Sequence, residues 1–253
     1  MSLLADFHNH SCLSPCGALD LSPRHLADIA AGHKIQVLAL TDHNSSLNCP
    51  AFAKICPQRG ILPIFGMEAT TLEEIHILCL FTHLEESLAF SEYAYSILMP
   101  FQNNPAITGD QVYVDEEDVI EGEVDYYLVN PLELSVDDIG AKVSEYGGIV
   151  IHAHVDRPAF SLTSQLGVIV HGPWAALECT RLPAFMGAPA EGAPLLDTLG
   201  YHLITSSDAH YPEHVARRPF ELDTSMEELA PNGLNGGAVM EVLKRVLSKR
   251  PIK

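Results

Sequence analysis

Long apolar runs are missing from this chain: none approaches the ~18 consecutive apolar residues that a membrane-spanning helix needs. A basic-plus-apolar leader is missing too, so the expected localisation is cytoplasmic, with no membrane partner. Basic residues are scarce. Fourteen Lys and Arg stand against 33 Asp and Glu, a formal net charge of −19. Such a surface repels polyanions and disfavours long nucleic acid held by phosphate neutralisation. It leaves room for a small phosphorylated substrate, because bound cations invert the local field. No CxxC pair occurs among Cys12, Cys16, Cys49, Cys56, Cys79 and Cys179, and the chain is too long to depend on disulfides. Reduced thiols are expected.

What is present is material for a large core and an excess of histidine. With 253 residues, 47% of them hydrophobic, the length suits one α/β barrel. Thirteen histidines are many beside fourteen Lys and Arg. Their positions decide whether the excess means anything.

Short apolar, β-branched runs alternate with helical patterns. Strands are expected at Leu3–Phe7, Gln36–Thr41, Ile61–Met67, Glu74–Phe81, Gly148–Ala153, Ala175–Cys179 and His202–Ser206. Ser22-Pro23 reads as an N-cap and first helical position, with Gly32 as the stop. Further helices are expected near Ala51–Cys56, over Leu84–Leu98, from Ser135 to Tyr146, and over Gly237–Lys249. The stretch from Met99 to Pro131 is acidic and irregular, and reads as an excursion holding a small hairpin. Strands alternating with helices imply parallel pairing through crossovers. About seven strands favour a closed or nearly closed barrel; an open doubly wound sheet is the alternative.

Polar chemistry falls on the strand ends of that map. His8 and His10 follow the first strand, Asp42 and His43 the second, and Glu68 the third. His76 lies in the fourth strand, and His152 and His154 close the fifth. Glu178 ends the sixth, and Asp208 and His210 follow the seventh. In a parallel barrel those ends meet on one face. Side chains alternate along a strand, so His8 and His10 point the same way. Paired imidazoles beside a carboxylate are metal-ligand chemistry. Taken singly, each has a plainer reading: His76 between Ile75 and Ile77 fits a buried, hydrogen-bonded histidine, and TDHN fits a turn. Together they need one explanation, because so many buried ionisable groups cost several kcal/mol each without compensation. Cations supply it. The ligands suffice for two or three divalent ions, and mixed N and O donors suit zinc, manganese or iron.

HNH, TDHN, GME, HILCLF, the AH of the fifth strand and SDAH together resemble the motifs of the PHP (polymerase and histidinol phosphatase) family, in family order from Phe7 to His210. The resemblance implies one domain over 1–253, a distorted (β/α)7 TIM-like barrel with the excursion at about 99–131. It implies a hydrolase acting on a small phosphate ester by a metal-activated hydroxide: a phosphomonoester, a nucleotide or a short oligonucleotide. One metal would take His8, His10, Glu68 and Asp208. A second would share Glu68 and add His76 and His154. A third would use His43, His210 and a residue shortly after the HxH pair. There the chain departs from the family, which often has His or Asp. Here the loop reads SCLSPCG, and Cys16 is the candidate, as ligand or as inert thiol.

Asp42, His152 and Glu178 are expected to orient ligands rather than bind metal. His43 or His210 would give the leaving group its proton. Arg157 would grip the phosphate or pair with nearby acids, and Arg181 has the same two readings. Two rival functions stand. Amidohydrolases share the barrel and the HxH start, but often carry a bridging lysine where Glu68 sits, and no lysine falls at a strand end here; Lys34 and Lys54 lie elsewhere. A non-catalytic PHP metal module is the other. It would be expected to have lost ligands, and only the Cys16 position departs.

Overall fold

The structure, a computed structural model, describes residues 2–180, 197–231 and 239–248. Arg181 and both ends of the expected last helix lie outside them. The elements run β1 (Leu3–Asp6), α1 (Pro23–Gly32), β2 (Val37–Leu40), α2 (Cys49–Ile55), β3 (Leu62–Thr70), β4 (His76–Phe81), α3 (Leu84–Ser96), α4 (Pro105–Thr108), β5 (Val112–Val114), β6 (Ile120–Glu123), α5 (Val136–Glu145), β7 (Ile149–His152), α6 (Leu162–Leu166), β8 (Trp174–Glu178), β9 (Leu203–Ile204), β10 (Phe220–Leu222), α7 (Met226–Leu229) and α8 (Val239–Leu247). Local chemistry sets several boundaries. Ser22 caps α1 by accepting from His25 N–H, with Pro23 at the first turn. Ser135 caps α5 by accepting from Asp138 N–H.

Eight strands form one nearly closed sheet in the order β10-β1-β2-β3-β4-β7-β8-β9, a distorted TIM-like barrel. Parallel pairing holds for β1–β2, β2–β3, β7–β8 and β8–β9. The expectation of parallel pairing throughout fails at β3–β4 and β4–β7, which are antiparallel. The reason is connection length. Only residues 71–75 separate β3 from β4, too few for a crossover, so the chain turns back as a hairpin. β4 therefore begins, with His76, where its antiparallel neighbours β3 and β7 end. β10, unforeseen in the sequence, pairs antiparallel with β1.

Polar bonds complete the ring at the site end. Ser206 Oγ accepts from Phe7 N–H at 3.3 Å, Asp6 Oδ1 accepts from Ser207 N–H at 2.9 Å, and His10 N–H donates to Ala209 O at 2.9 Å. Alternate strand residues such as Ala5, Phe7, Val37, Ile64, Leu80 and Ile151 share a core with Val239, Leu243 and Leu247 of α8. No helix among the described residues is long and apolar enough to cross a membrane.

The 99–131 segment carries the β5–β6 hairpin and is fastened to loops at the strand ends. Val112 N–H donates to Cys12 O, and Val114 N–H donates to Asn48 Oδ1 at 2.9 Å. Asn44 Nδ2 donates to Leu128 O at 2.6 Å and Asn130 O at 2.8 Å.

His152 corrects a second expectation. As i, i+2 residues of one continuous strand, it and His154 would share a face. The strand ends at His152, and His154 has φ of 31°, so the chain turns between them. The His152 ring packs edge-on against Trp174, centroids 4.3 Å apart, and neither ring nitrogen has a hydrogen-bond partner among the described residues. Burial alone pushes its pKa from 6.5 down to about 3. As pH falls through 6.5, the unfolded chain takes a proton that the native ring refuses, so acid destabilises the fold. By pH ~5 the cost is roughly 2 kcal/mol. In urea titrations, His152→Phe should lose about 2 kcal/mol less than wild type between pH ~7 and ~5; equal losses would count against this account.

Candidate metal centre

Glu68, the seventh residue of β3, is buried at the centre of the site. Its Oε1 lies 2.9 Å from His76 Nδ1, 3.0 Å from His154 Nε2 and 3.2 Å from His8 Nε2. Its Oε2 lies 3.2 Å from His43 Nδ1 and 3.4 Å from His10 Nε2. Five imidazoles from four strand ends thus ring one carboxylate. Asp208 closes the other side, with Oδ1 at 3.5 Å from His8 Nε2, 3.6 Å from His10 Nε2 and 3.4 Å from His210 Nδ1. Ligand atoms within 4.8 Å of one another form three groups among the described residues: His8, His10 and Glu68; His43, Glu68 and His76; and His10, His43 and His210.

The surroundings fix which nitrogens face inward. A carboxylate only accepts, so His8 Nδ1–H donates to Glu178 Oε2 at 2.9 Å and Nε2 turns to the centre. Asp42 accepts from Ser11 N–H, Ser11 Oγ and Ser14 Oγ, each at 2.6 Å. With its hydrogen given to Asp42, Ser14 Oγ accepts from His10 Nδ1–H at 2.9 Å. Asp42 thus acts on His10 through Ser14. The two Nε2 atoms of His8 and His10 then face each other at 3.2 Å. Two lone pairs this close need a positive charge.

Without a metal, a proton on His8 answers that need. Burial opposes it, but Glu178, Glu68 and Asp208 together hold the His8 pKa well above the imidazole range. His10 is pushed down to about 3 by burial and then by His210, and burial holds His43 well below its ordinary value. Burial opposes ionisation of Glu68 as well, but His76, His8 and His43 hold its carboxyl well below the usual range. The lowered pKa values of His10 and His43 beside an ionised Glu68 leave imidazole lone pairs and a carboxylate, donors that a divalent cation takes. His43 Nδ1, His76 Nε2 and His154 Nδ1 are buried without hydrogen-bond partners among the described residues. The residues fit divalent cations on these grounds.

Cys16 stands outside all three groups of converging ligand atoms. Its side chain reaches solvent. The protein packed around the thiol, and then the charge of Glu68, push its pKa up to about 12. His10 occupies the place beside His43 and His210 that the sequence reading left to Cys16. Arg157 reaches the site: its Nη1 donates to Asp208 Oδ2 at 2.7 Å while the side chain stays 44% exposed.

Sequence reasoning missed the groups that hold the ligand loops. Arg217 donates to Ser207 O at 2.6 Å and to Asp208 O at 3.1 Å, and Arg218 donates to Ser206 O and Ser207 O. They fasten a segment in which Asp208 has φ of 48°, a strained value of the kind that collects at functional sites. The Arg-Arg pair after SDAH was the available signal. Phe160 stacks on His76 with centroids 4.8 Å apart, and nothing in the sequence marked it.

The PHP domain family model matches residues 6–147. No curated protein matches the chain. Among solved structures it is similar to a lesion-specific endonuclease of Pyrococcus furiosus, with 17% identity and a TM-score of 0.59 over 94% of this chain. The chain spans 57% of that protein's length. It is similar to a protein from Bifidobacterium adolescentis assigned as a metal-dependent phosphoesterase, at 18% identity and TM-score 0.53, covering 81% of this chain and 87% of the other. It is also similar to an amidohydrolase of Chromobacterium violaceum holding sulfate, at 18% identity and TM-score 0.52, covering 85% and 90%. The endonuclease gives no support to the expectation that long nucleic acid is disfavoured.

Proposed function

Because the chain belongs to the PHP domain family, we propose that it is a metal-dependent hydrolase of small phosphate esters, working at the Glu68 cluster. The observation that carries this reading is the single carboxylate ringed by five imidazoles, with Asp208 opposite. Two or three divalent ions, of zinc, manganese or iron, would be held by His8, His10, His43, Glu68, His76, His154, Asp208 and His210. Bound there, such ions supply Lewis acidity, which activates water at neutral pH and neutralises charge on a phosphoryl group.

The chain's own residues do the rest. Glu178 and the Asp42–Ser14 pair keep His8 and His10 turned inward. Arg157, with donors left over from its Asp208 contact, grips a phosphate at the rim. His210 is the most exposed imidazole of the cluster, 21% against 0–7% for the others, and would give a departing oxygen its proton, with His43 as the alternative donor. Burial lowers the His210 pKa, and the charge of a bound phosphate acts the other way. The sulfate on the Chromobacterium protein is a tetrahedral anion of the same class.

The test is a substrate panel with added Mn²⁺, Zn²⁺ or Fe²⁺: a generic aryl phosphate, mononucleotides, a nucleoside 3′,5′-bisphosphate, histidinol phosphate, a lesion-bearing DNA duplex, and amides. Metal-dependent turnover of the small phosphate esters is expected. Turnover of amides alone, or of duplex alone, would replace the reading. Protein that takes up no metal and stays inert with every ion would end it. A finer expectation concerns Asp42→Asn, which disturbs the hold on His10. It should weaken metal affinity by about 10–100-fold in titrations with a competing chelator; unchanged affinity would remove Asp42 from the account.

A further inference from the structure

A second cavity, of about 390 Å³, lies between α3 and the β5–β6 hairpin. That volume is in the range of small-molecule sites. Its body is apolar and aromatic: Leu88, Tyr95 and Tyr113 form the walls. Both rings are packed against neighbours. Tyr95 stacks on Tyr126, centroids 5.5 Å apart at 22°. Tyr113 lies against Gly122, where an added Cβ would come within 2.2 Å of the phenol oxygen, so a glycine is what admits the ring. The lining also includes Glu92, Glu123 and Asp125. None of the three has an ion-pair or side-chain hydrogen-bond partner among the described residues. Three exposed carboxylates, unpaired among the described residues, beside two tyrosine rings, in a chain of net charge −19, are complementary to one kind of ligand. Ammonium groups bind both to carboxylates and to the faces of aromatic rings.

We propose that this cavity binds a small organic cation, an ammonium group carried on an apolar or aromatic body. It is separate from the metal cluster and needs no metal. It is joined to the cluster through the chain, because Ser45, two residues past His43, lines the cavity.

The test uses phenethylamine as probe, with phenethyl alcohol and phenylacetate as neutral and anionic controls, on full-length protein stripped with chelator. Isothermal titration should give a saturable site with a dissociation constant of about 0.1–1 mM for the amine, as expected of so small a ligand. The alcohol should bind at least about tenfold more weakly and phenylacetate not at all, and added salt should weaken the amine. The double variant Glu123→Gln/Asp125→Asn keeps shape and removes charge, so it should weaken the amine about tenfold or more. Tyr113→Leu keeps an apolar wall without the ring face and should weaken the amine but not the alcohol. Equal binding of amine and alcohol would overturn the proposal. So would unchanged affinity in the double variant, or no saturable site.

Discussion

Glu68→Gln should empty the metal centre and lower phosphoesterase turnover by at least about 10³-fold. Loss of an outer partner of a metal ligand already costs about 10–100-fold, and Glu68 touches five imidazoles at once. The substitution keeps the shape and changes the chemistry twice. It removes the negative charge that offsets the cations. It also places amide hydrogens against imidazole nitrogens whose lone pairs should face metal. His8 loses one of the three carboxylates that hold its pKa up. Metal content measured by elemental analysis should fall with activity, while the circular dichroism spectrum stays that of wild type. Full metal content with turnover within about tenfold of wild type would contradict the role given to Glu68.

The largest stability effect is expected at Gly66, two residues before Glu68. An added Cβ there would lie 2.1 Å from the carbonyl oxygen of Cys79 on β4. That atom is backbone, held in the β3–β4 ladder where Gly66 faces Leu80, so no side-chain rotation relieves the clash. Gly66 O also accepts from Ser46 Oγ at 3.0 Å, which ties the strand to the loop after His43. Gly66→Ala should cost about 3 kcal/mol or more, at the upper end of overpacking effects. Gly32→Ala is the matched control. A Cβ there meets nothing within 4 Å, at the end of α1. It should be neutral or stabilising by up to about 1 kcal/mol. Urea midpoints for the pair separate steric clash from loss of glycine as such. Similar midpoints would remove the explanation.

Strand positions were legible in the sequence because each buried run is apolar and four to nine residues long. Strand direction was legible only where connections are long. HILCLF carries no mark of direction, and the reversal of β4 depends on the length of the 71–75 turn rather than on the strand itself. β10 was missed because three residues, FEL after Pro219, carry too little pattern. The face of His152 was misread because period-two alternation assumes that the strand continues, and it stops at that residue. Cys16 was weighed as a ligand for its place in the loop, but Ser14 is the residue of that loop that touches a metal-facing histidine. The bonds from Ser11 and Ser14 to Asp42 span about 30 positions, which no local pattern reveals, and the Arg217–Arg218 clamp acts through backbone carbonyls, so the Arg-Arg pair alone marked it.

The seam between β1 and the segment after β9 has a consequence for how the molecule comes into being. Phe7 and Ser206, bonded across it, stand 199 positions apart. During synthesis His8 and His10 exist long before Asp208 and His210 do, and β1 waits for β10 with one edge unpaired. Closing so long a loop costs entropy that no local contact returns early. His8, His10, His43, Glu68, His76 and His154 are therefore all in the chain before Asp208, which closes the other side of the cluster, exists.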